Sequence, residues 1–184
     1  MTSIIIGGNE ISPTNPLAVS AGGVAVAPSA SYTRPADTTA YAAGDAVANS
    51  TSAPTVLTFS SAVRANGGSG IIIGAQLIDN SSPTTPGQFE LYLFSATVTP
   101  TNDNAALDIS AADALKLVGV IPFTTNKKFT SSTVYSAMAM GDCAPFGFVA
   151  DAGGTSLFGL LCARNAYSPK SGGVLTLKLT IAGN

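Results

Sequence analysis

The chain has 184 residues and a net charge of −2 from only eight Lys/Arg and ten Asp/Glu, so charged residues are 10% of it against about 25% in ordinary soluble domains. Sparse cations, with Lys127-Lys128 the sole adjacent basic pair, exclude the counterion-displacing surface that nucleic-acid binding requires. No run of about 18 apolar residues is present to cross a membrane as a helix.

Ser and Thr, 20 of each, stand where charge would normally cover the surface. Hydroxyls and small side chains cost less to bury than ions, and interface cores are depleted of charge in the same way. This composition points to contact with other subunits.

Residues 1–30, with "IIIGG" and "VSAGGVAVAPSA", interrupt their apolar pieces too often for a helix. They read as an extended N-terminal arm with short strands, of the kind that lies on a neighbour. The start "MTSIIIGGNE" has no basic residue and an apolar run of three isoleucines, unlike a secretory signal; synthesis in the cytoplasm is the expectation.

Residues 31–184 read as one β-sandwich domain. "SASYTRPAD" is an edge strand running into a corner, because Pro35 lacks an N–H and biases Arg34 towards extended geometry. Strand chemistry follows in "TVLTF" (55–59), "GIIIGAQLI" (70–78) and "QFELYLF" (88–94), separated by the turn-rich "RANGGSG" and "DNSSPTTPG". In the last strand Phe89, Leu91 and Leu93 oppose Glu90, Tyr92 and Phe94. "DISAADALK" (108–116) is the one helical candidate, a turn or two capped by Ser110 with Asp113 in the acid position of a capping box.

"LKLVGVIPF", "TVYSAMAM" and "TSLFGLLCA" continue the pattern, and "GVLTLKLTIA" alternates most cleanly, Leu175, Leu177, Leu179 and Ile181 against Val174, Thr176, Lys178 and Thr180. That alternation describes a sheet with one buried face. About eight strands with turn signals and no long helix predict an all-β fold, a β-sandwich of jelly-roll type, with one short helix near 108–116.

Catalytic chemistry is hard to place. His is absent, which removes the Ser-His-Asp arrangement, His-ligated zinc and the commonest general base near neutral pH. Paired carboxylates could hydrolyse glycosides, with Glu90 and Asp142 the candidates, but most aspartates, Asp45, Asp79, Asp103 and Asp142 among them, sit beside Gly or Asn, where turn and cap roles are the rule. No phosphate loop or calcium loop is present. Cys143 and Cys162 lie in apolar settings and read as reduced, buried thiols without metal-ligand spacing, although pairing between them stays open. The chain is expected to be no enzyme and to take no cofactor or metal.

The order Tyr32-x-Arg34-Pro35-x-Asp37-x-Thr39-x-Tyr41-x-x-Gly44-Asp45-x-Val47, together with "NAALDISAADALKLVGVIPF" (104–123), resembles a family of small virion proteins of tailed bacteriophages. The resemblance runs over roughly residues 30–184. It implies a β-sandwich that decorates or cements an icosahedral capsid, with the major capsid protein as partner and a homotrimer at local three-fold positions; the low, mildly acidic charge favours the outer face over contact with packaged DNA. It brings no catalytic residues. Tyr32, Arg34, Asp37, Tyr41 and Asp45 are then a sheet corner and a candidate contact surface. A receptor- or glycan-binding module of a tail or baseplate is the alternative, and it would require exposed aromatics at one end of the sheets.

Overall fold

The computed structural model describes residues 4–6, 9–11, 25–138 and 145–183. Among them lie β1 (Ile4–Ile6), β2 (Asn9–Ile11), β3 (Ser29–Thr33), β4 (Ala46–Val47), β5 (Leu57–Phe59), β6 (Ser69–Asp79) and β7 (Phe89–Phe94). The single helical turn α1 (Ala111–Ala114) follows, then β8 (Leu117–Phe123), β9 (Asn126–Lys128), β10 (Thr133–Met138), β11 (Phe146–Val149), β12 (Leu157–Ala163) and β13 (Val174–Ala182). No described helix is long and apolar enough to cross a membrane.

Apart from the separate β1–β2 hairpin, the strands form two antiparallel sheets. One runs β3-β13-β6-β10-β9, with β11 continuing β10 along the same edge of β6; the other runs β4-β12-β7-β8, with β5 beside β4 on the same edge of β12. Counting β4/β5 and β10/β11 as interrupted single strands, the eight principal strands fall into sheets ordered first-eighth-third-sixth and second-seventh-fourth-fifth. This is the jelly-roll order, in which successive strands pass between two packed sheets as Greek keys.

Strand periodicity builds the core. On β13, Leu175, Leu177, Leu179 and Ile181 are buried while Lys178 is exposed, and on β7, Phe89, Leu91 and Leu93 point inward. These side chains join Leu57, Phe59, Leu77, Tyr135 and Leu161 in one cluster between the sheets. Gly159 belongs to this layer because a Cβ there would lie 2.9 Å from Leu91 Cδ1.

Two features depart from a simple alternating sandwich. On β6 the register skips Ile73 opposite both β13 and the β10/β11 line, so Ile72 pairs Ile181 and Phe146 whereas Gly74 pairs Thr180 and Met138. One extra residue reverses which parity faces inward. Beyond it Ala75, Leu77 and Asp79 are buried and Gln76 is exposed. Without it, Gln76 would enter the core.

The second departure concerns the outer face of the β4-β12-β7-β8 sheet, which is itself partly covered. Phe94, Val98 and Leu160 form a second buried cluster, packed by Val56, Tyr92, Leu107, Ile109 and Phe158. The connection from β7 to β8 lies over this face. Its α1 turn is shorter than the 108–116 span, but the cap is the expected one: Ser110 Oγ accepts from Asp113 N at 3.1 Å. Asp113 binds Thr99 N at 3.1 Å and Lys116 Nζ at 2.8 Å, which closes the connection on itself.

The Lys116 ammonium, the Thr99 amide and the Ser110 cap hold the Asp113 carboxyl below its ordinary pKa. A depressed folded-state value means that its contribution to stability is complete above the unfolded value near 4 and is lost as pH falls through the folded value. Asp113→Asn is therefore expected to lower the denaturant midpoint at pH 7, with the deficit shrinking towards zero near pH 2; an equal deficit at both pH values would contradict this.

Candidate functional site

The residues singled out between Tyr32 and Asp45 do come together, in the interior. On β3, Ala30 pairs Leu177 and Tyr32 pairs Leu175, both inward positions. The alternation that turns Ala30 and Tyr32 inward carries Arg34 inward too. Arg34 is 3% exposed and Tyr41 1%. Their side chains are thus part of the interior, which corrects the expectation that they form a contact surface; of the five candidates Tyr32, Asp37 and Asp45 keep partial exposure. Tyr32 is half-buried, and its hydroxyl donates to Val47 O on the opposite sheet.

Arg34 makes contacts that close the corner from several directions. Its Nε donates to Tyr41 Oη, Nη1 to Lys170 O at 3.4 Å and Nη2 to Asp103 Oδ2 at 3.5 Å, while Cζ stands 4.8 Å from the Tyr41 ring centroid. Asp103 Oδ1 accepts from Tyr41 Oη at 2.6 Å and from Ala48 N at 2.7 Å. Asp103 N in turn donates to Ser50 O, and Asn104 continues in the left-handed region with φ 60°, a conformation Asn tolerates better than most residues. Asp103 had the sequence signature of a turn residue. It keeps that turn position and is in addition the buried counterion of Arg34, with both side chains 1% exposed.

A second carboxylate lies behind the first. Tyr41 and Tyr167 bridge each other through the backbone and stack at 5.8 Å with 9° between planes. Tyr167 Oη donates to Asp79 Oδ2 at 3.0 Å. Asp79 Oδ1 accepts from Ser81 N and Ser81 Oγ, which keeps the Asx-turn role expected for it and adds a buried phenol. Phe89 meets Tyr167 and Tyr135 edge-on, at 5.3 Å each. The order Arg34, Asp103, Tyr41, Tyr167, Asp79 links the end of β3 to the end of β6 in the same sheet.

The ionisation of these groups follows their burial. Desolvation works against the Arg34 charge, but Tyr41 and Asp103 outweigh it and its pKa rises. Burial is the main reason that Tyr41, Tyr167 and Tyr32 are held well above the usual tyrosine value; Asp103 adds to the effect at Tyr41 and Asp79 at Tyr167. A neutral phenol clamped between carboxylates and a permanent cation donates hydrogen bonds. It offers no base.

The remaining candidates are dispersed. Asp37 Oδ1 accepts from Thr39 N at 3.0 Å and lies 3.9 Å from Arg34 Nη2, while Asp45 Oδ2 accepts from Ala42 N at 2.6 Å, both as turn residues. Glu90 is held by Arg164 at 3.2 Å and by Tyr92 Oη at 2.9 Å. Cys162 is buried, its thiol pushed up to about 11 by burial and then by Glu90. Asp142 and Cys143 lie outside the described residues, and so does any pairing between the two cysteines. Among the described residues no three His, Cys, Asp or Glu side chains gather as metal ligands.

No protein-family model matches the chain, and no curated protein matches it.

Two measurements check this arrangement. Asp103→Asn leaves Arg34 buried without its countercharge and is expected to cost about 3–5 kcal/mol in denaturant unfolding, whereas Asp37→Ala, at a 36% exposed side chain, should cost under about 1 kcal/mol; similar losses would contradict the assignment. All five tyrosines have raised pKa values, with Tyr92 at about 12. Stability from a raised group is complete below the unfolded value near 10 and is lost as pH rises through the folded value. Phenolate absorbance should therefore stay low at pH 10.5 and appear together with loss of far-UV structure; several phenols titrating near 10 in folded protein would contradict it.

Proposed function

We propose that the chain is a non-enzymatic structural protein of a phage virion, decorating or cementing the outer face of an icosahedral capsid as a trimer at local three-fold positions. The observation that carries this reading is the use of the Tyr32–Val47 stretch. The residues that bear the resemblance to tailed-phage virion proteins are built as a rigid, internally satisfied corner of a jelly roll, joining β3 of one sheet to β4 of the other through Tyr32 and Val47. Arg34, Tyr41 and Asp103 saturate one another there. The chemistry in this stretch maintains shape.

The rest of the molecule is compatible with that role. A surface rich in Ser and Thr and poor in charge suits many weak contacts, which repetition on a lattice turns into stable docking. A net charge of −2 is better tolerated on the outside of a shell than against packaged DNA. Synthesis in the host cytoplasm and binding to the major capsid protein follow from the same reading.

A glycan-binding module would need aromatic faces turned to solvent. The groove of about 480 Å³ lined by Ala40, Thr84, Thr85, Ser168 and Lys170 has Tyr167 in its wall. That tyrosine is 4% exposed, stacked on Tyr41 and bonded to Asp79. It presents no stacking platform.

The test uses phage particles made with and without this protein. Light scattering of the purified chain is expected to give the mass of a trimer, and adding it back to particles that lack it should raise the temperature at which they release DNA. A chain that leaves this temperature unchanged and fails to co-sediment with the particles would overturn the proposal.

A further inference from the structure

Four large apolar side chains stand exposed around one corner of the sandwich: Ile71 at 47%, Leu115 at 90%, Leu117 at 41% and Val149 at 62%. Backbone hydrogen bonds bring them together. Leu115 and Leu117 flank Lys116, whose carbonyl accepts from Ser95 N at 2.9 Å; Ser95 O accepts from Asp151 N at 3.1 Å, two residues beyond Val149. On the outer face of the other sheet Ile71 pairs Gly147 and Ser69 pairs Val149, so Ile71 and Val149 are diagonal neighbours.

The strand beside this patch has an open edge. β8 is the last strand of its sheet, and among the described residues no strand pairs with its outer side. Native edges are usually guarded by charge, proline or a covering element. β8 carries no charged residue, and Pro122 guards only its end. The nearest charge, Lys116, is bound to Asp113 and to Thr97 O.

A segment of the same chain fits such an edge. Among the described residues β1 and β2 pair with each other, Ile4 with Ile11 and Ile6 with Asn9, and with neither large sheet. An isolated two-stranded hairpin is marginal in water. Four of its six strand residues are isoleucine, and Glu10 is its one charge. Residues 12–24 join it to the sandwich and, extended at about 3.3–3.6 Å per residue, reach about 45 Å.

The anchor of this tether lies at the same end of the sandwich as the patch, on the opposite flank. Val26 bridges Ile181, which pairs Ile72, which pairs Phe146, and the Phe146 ring lies 2.8 Å from where a Cβ on Gly119 of β8 would be. A hairpin leaving one flank and a receiving edge on the other make a head-to-tail contact, the kind that closes into a ring.

We propose that the β1–β2 hairpin of one copy adds to the β8 edge of a neighbouring copy and covers Leu115, Leu117 and Val149 there. The inference rests on the reading of the chain as a trimeric capsid-decorating protein and specifies the contact that joins the copies of the trimer. Main-chain pairing supplies the attachment and the apolar corner supplies the burial.

The test uses full-length chains. Copies carrying Ile5→Cys or Ile6→Cys, two successive positions of β1, are mixed with separate copies carrying Leu117→Cys and oxidised, and the unsubstituted chain gives the background from Cys143 and Cys162. One mixture is expected to yield a disulfide-linked pair containing one copy of each kind. The double variant Leu115→Asp/Leu117→Asp, at exposed positions, should keep its circular dichroism and fall from trimer to monomer in light scattering, while Phe129→Asp, at a 52% exposed site elsewhere, stays trimeric. No mixed disulfide in either mixture, or an unchanged mass in the double aspartate variant, overturns the proposal. A chain that trimerises through this contact but leaves phage particles unaffected would remove the virion reading alone; a monomer that stabilises particles would remove this contact alone.

Discussion

A guanidinium, a carboxylate and a phenol buried together constrain the rest of the molecule. Ions of this kind lose several kcal/mol each on leaving water and recover it only in good geometry with their hydrogen bonds satisfied. Arg34 enters the interior because β3 alternates, and once inside it fixes what must surround it. The β7–β8 connection has to deliver Asp103, the segment after β3 has to return with Tyr41, and the β12–β13 connection has to present Lys170 O. Segments far apart in sequence thus converge on one charge.

This constraint explains why the β7–β8 connection is tied down at several points along its length. The β7–β8 connection carries Asp103 near its middle and the Asp113–Lys116 closure at its end, and between them Leu107 and Ile109 pack the outer cluster. The Tyr41–Tyr167 stack extends the same tie to Asp79, and the bulge at Ile73 puts Asp79 on the inner face. On the proposed reading as a capsid-decorating protein, connections held in this way would help the module keep its shape on a lattice. The same groups in a hydrolase would need an ionised base open to substrate.

Much of the fold was legible in the sequence, because strand faces repeat every two residues. The faces of β7 and β13, the Ser110 cap and the edge position of β3 follow directly from Phe89–Phe94, Val174–Ala182, Ser110–Asp113 and the Tyr32–Pro35 run. What stayed hidden depends on tertiary placement. Ala46–Val47 is too short to alternate, and nothing in "GIIIGAQLI" announces that Ile73 is the extra residue. Position 34 gives no hint that its partner lies 69 residues on. Asp103-Asn104 and Asp79-Asn80 do have turn geometry, and that local role masked the buried one. The inward direction of Arg34 could have been found, since Ala30, Tyr32 and Arg34 share one strand face.

The claim that the Arg34–Asp103 pair holds the corner is tested most directly by a double-mutant cycle in equilibrium unfolding, with Arg34→Met, Asp103→Asn and the double variant. Each single change leaves a buried partner uncompensated, so the double variant should be little worse than either single one, giving a coupling of at least about 2 kcal/mol. Losses that add to within about 0.5 kcal/mol would mean that the two side chains act independently and would contradict the account.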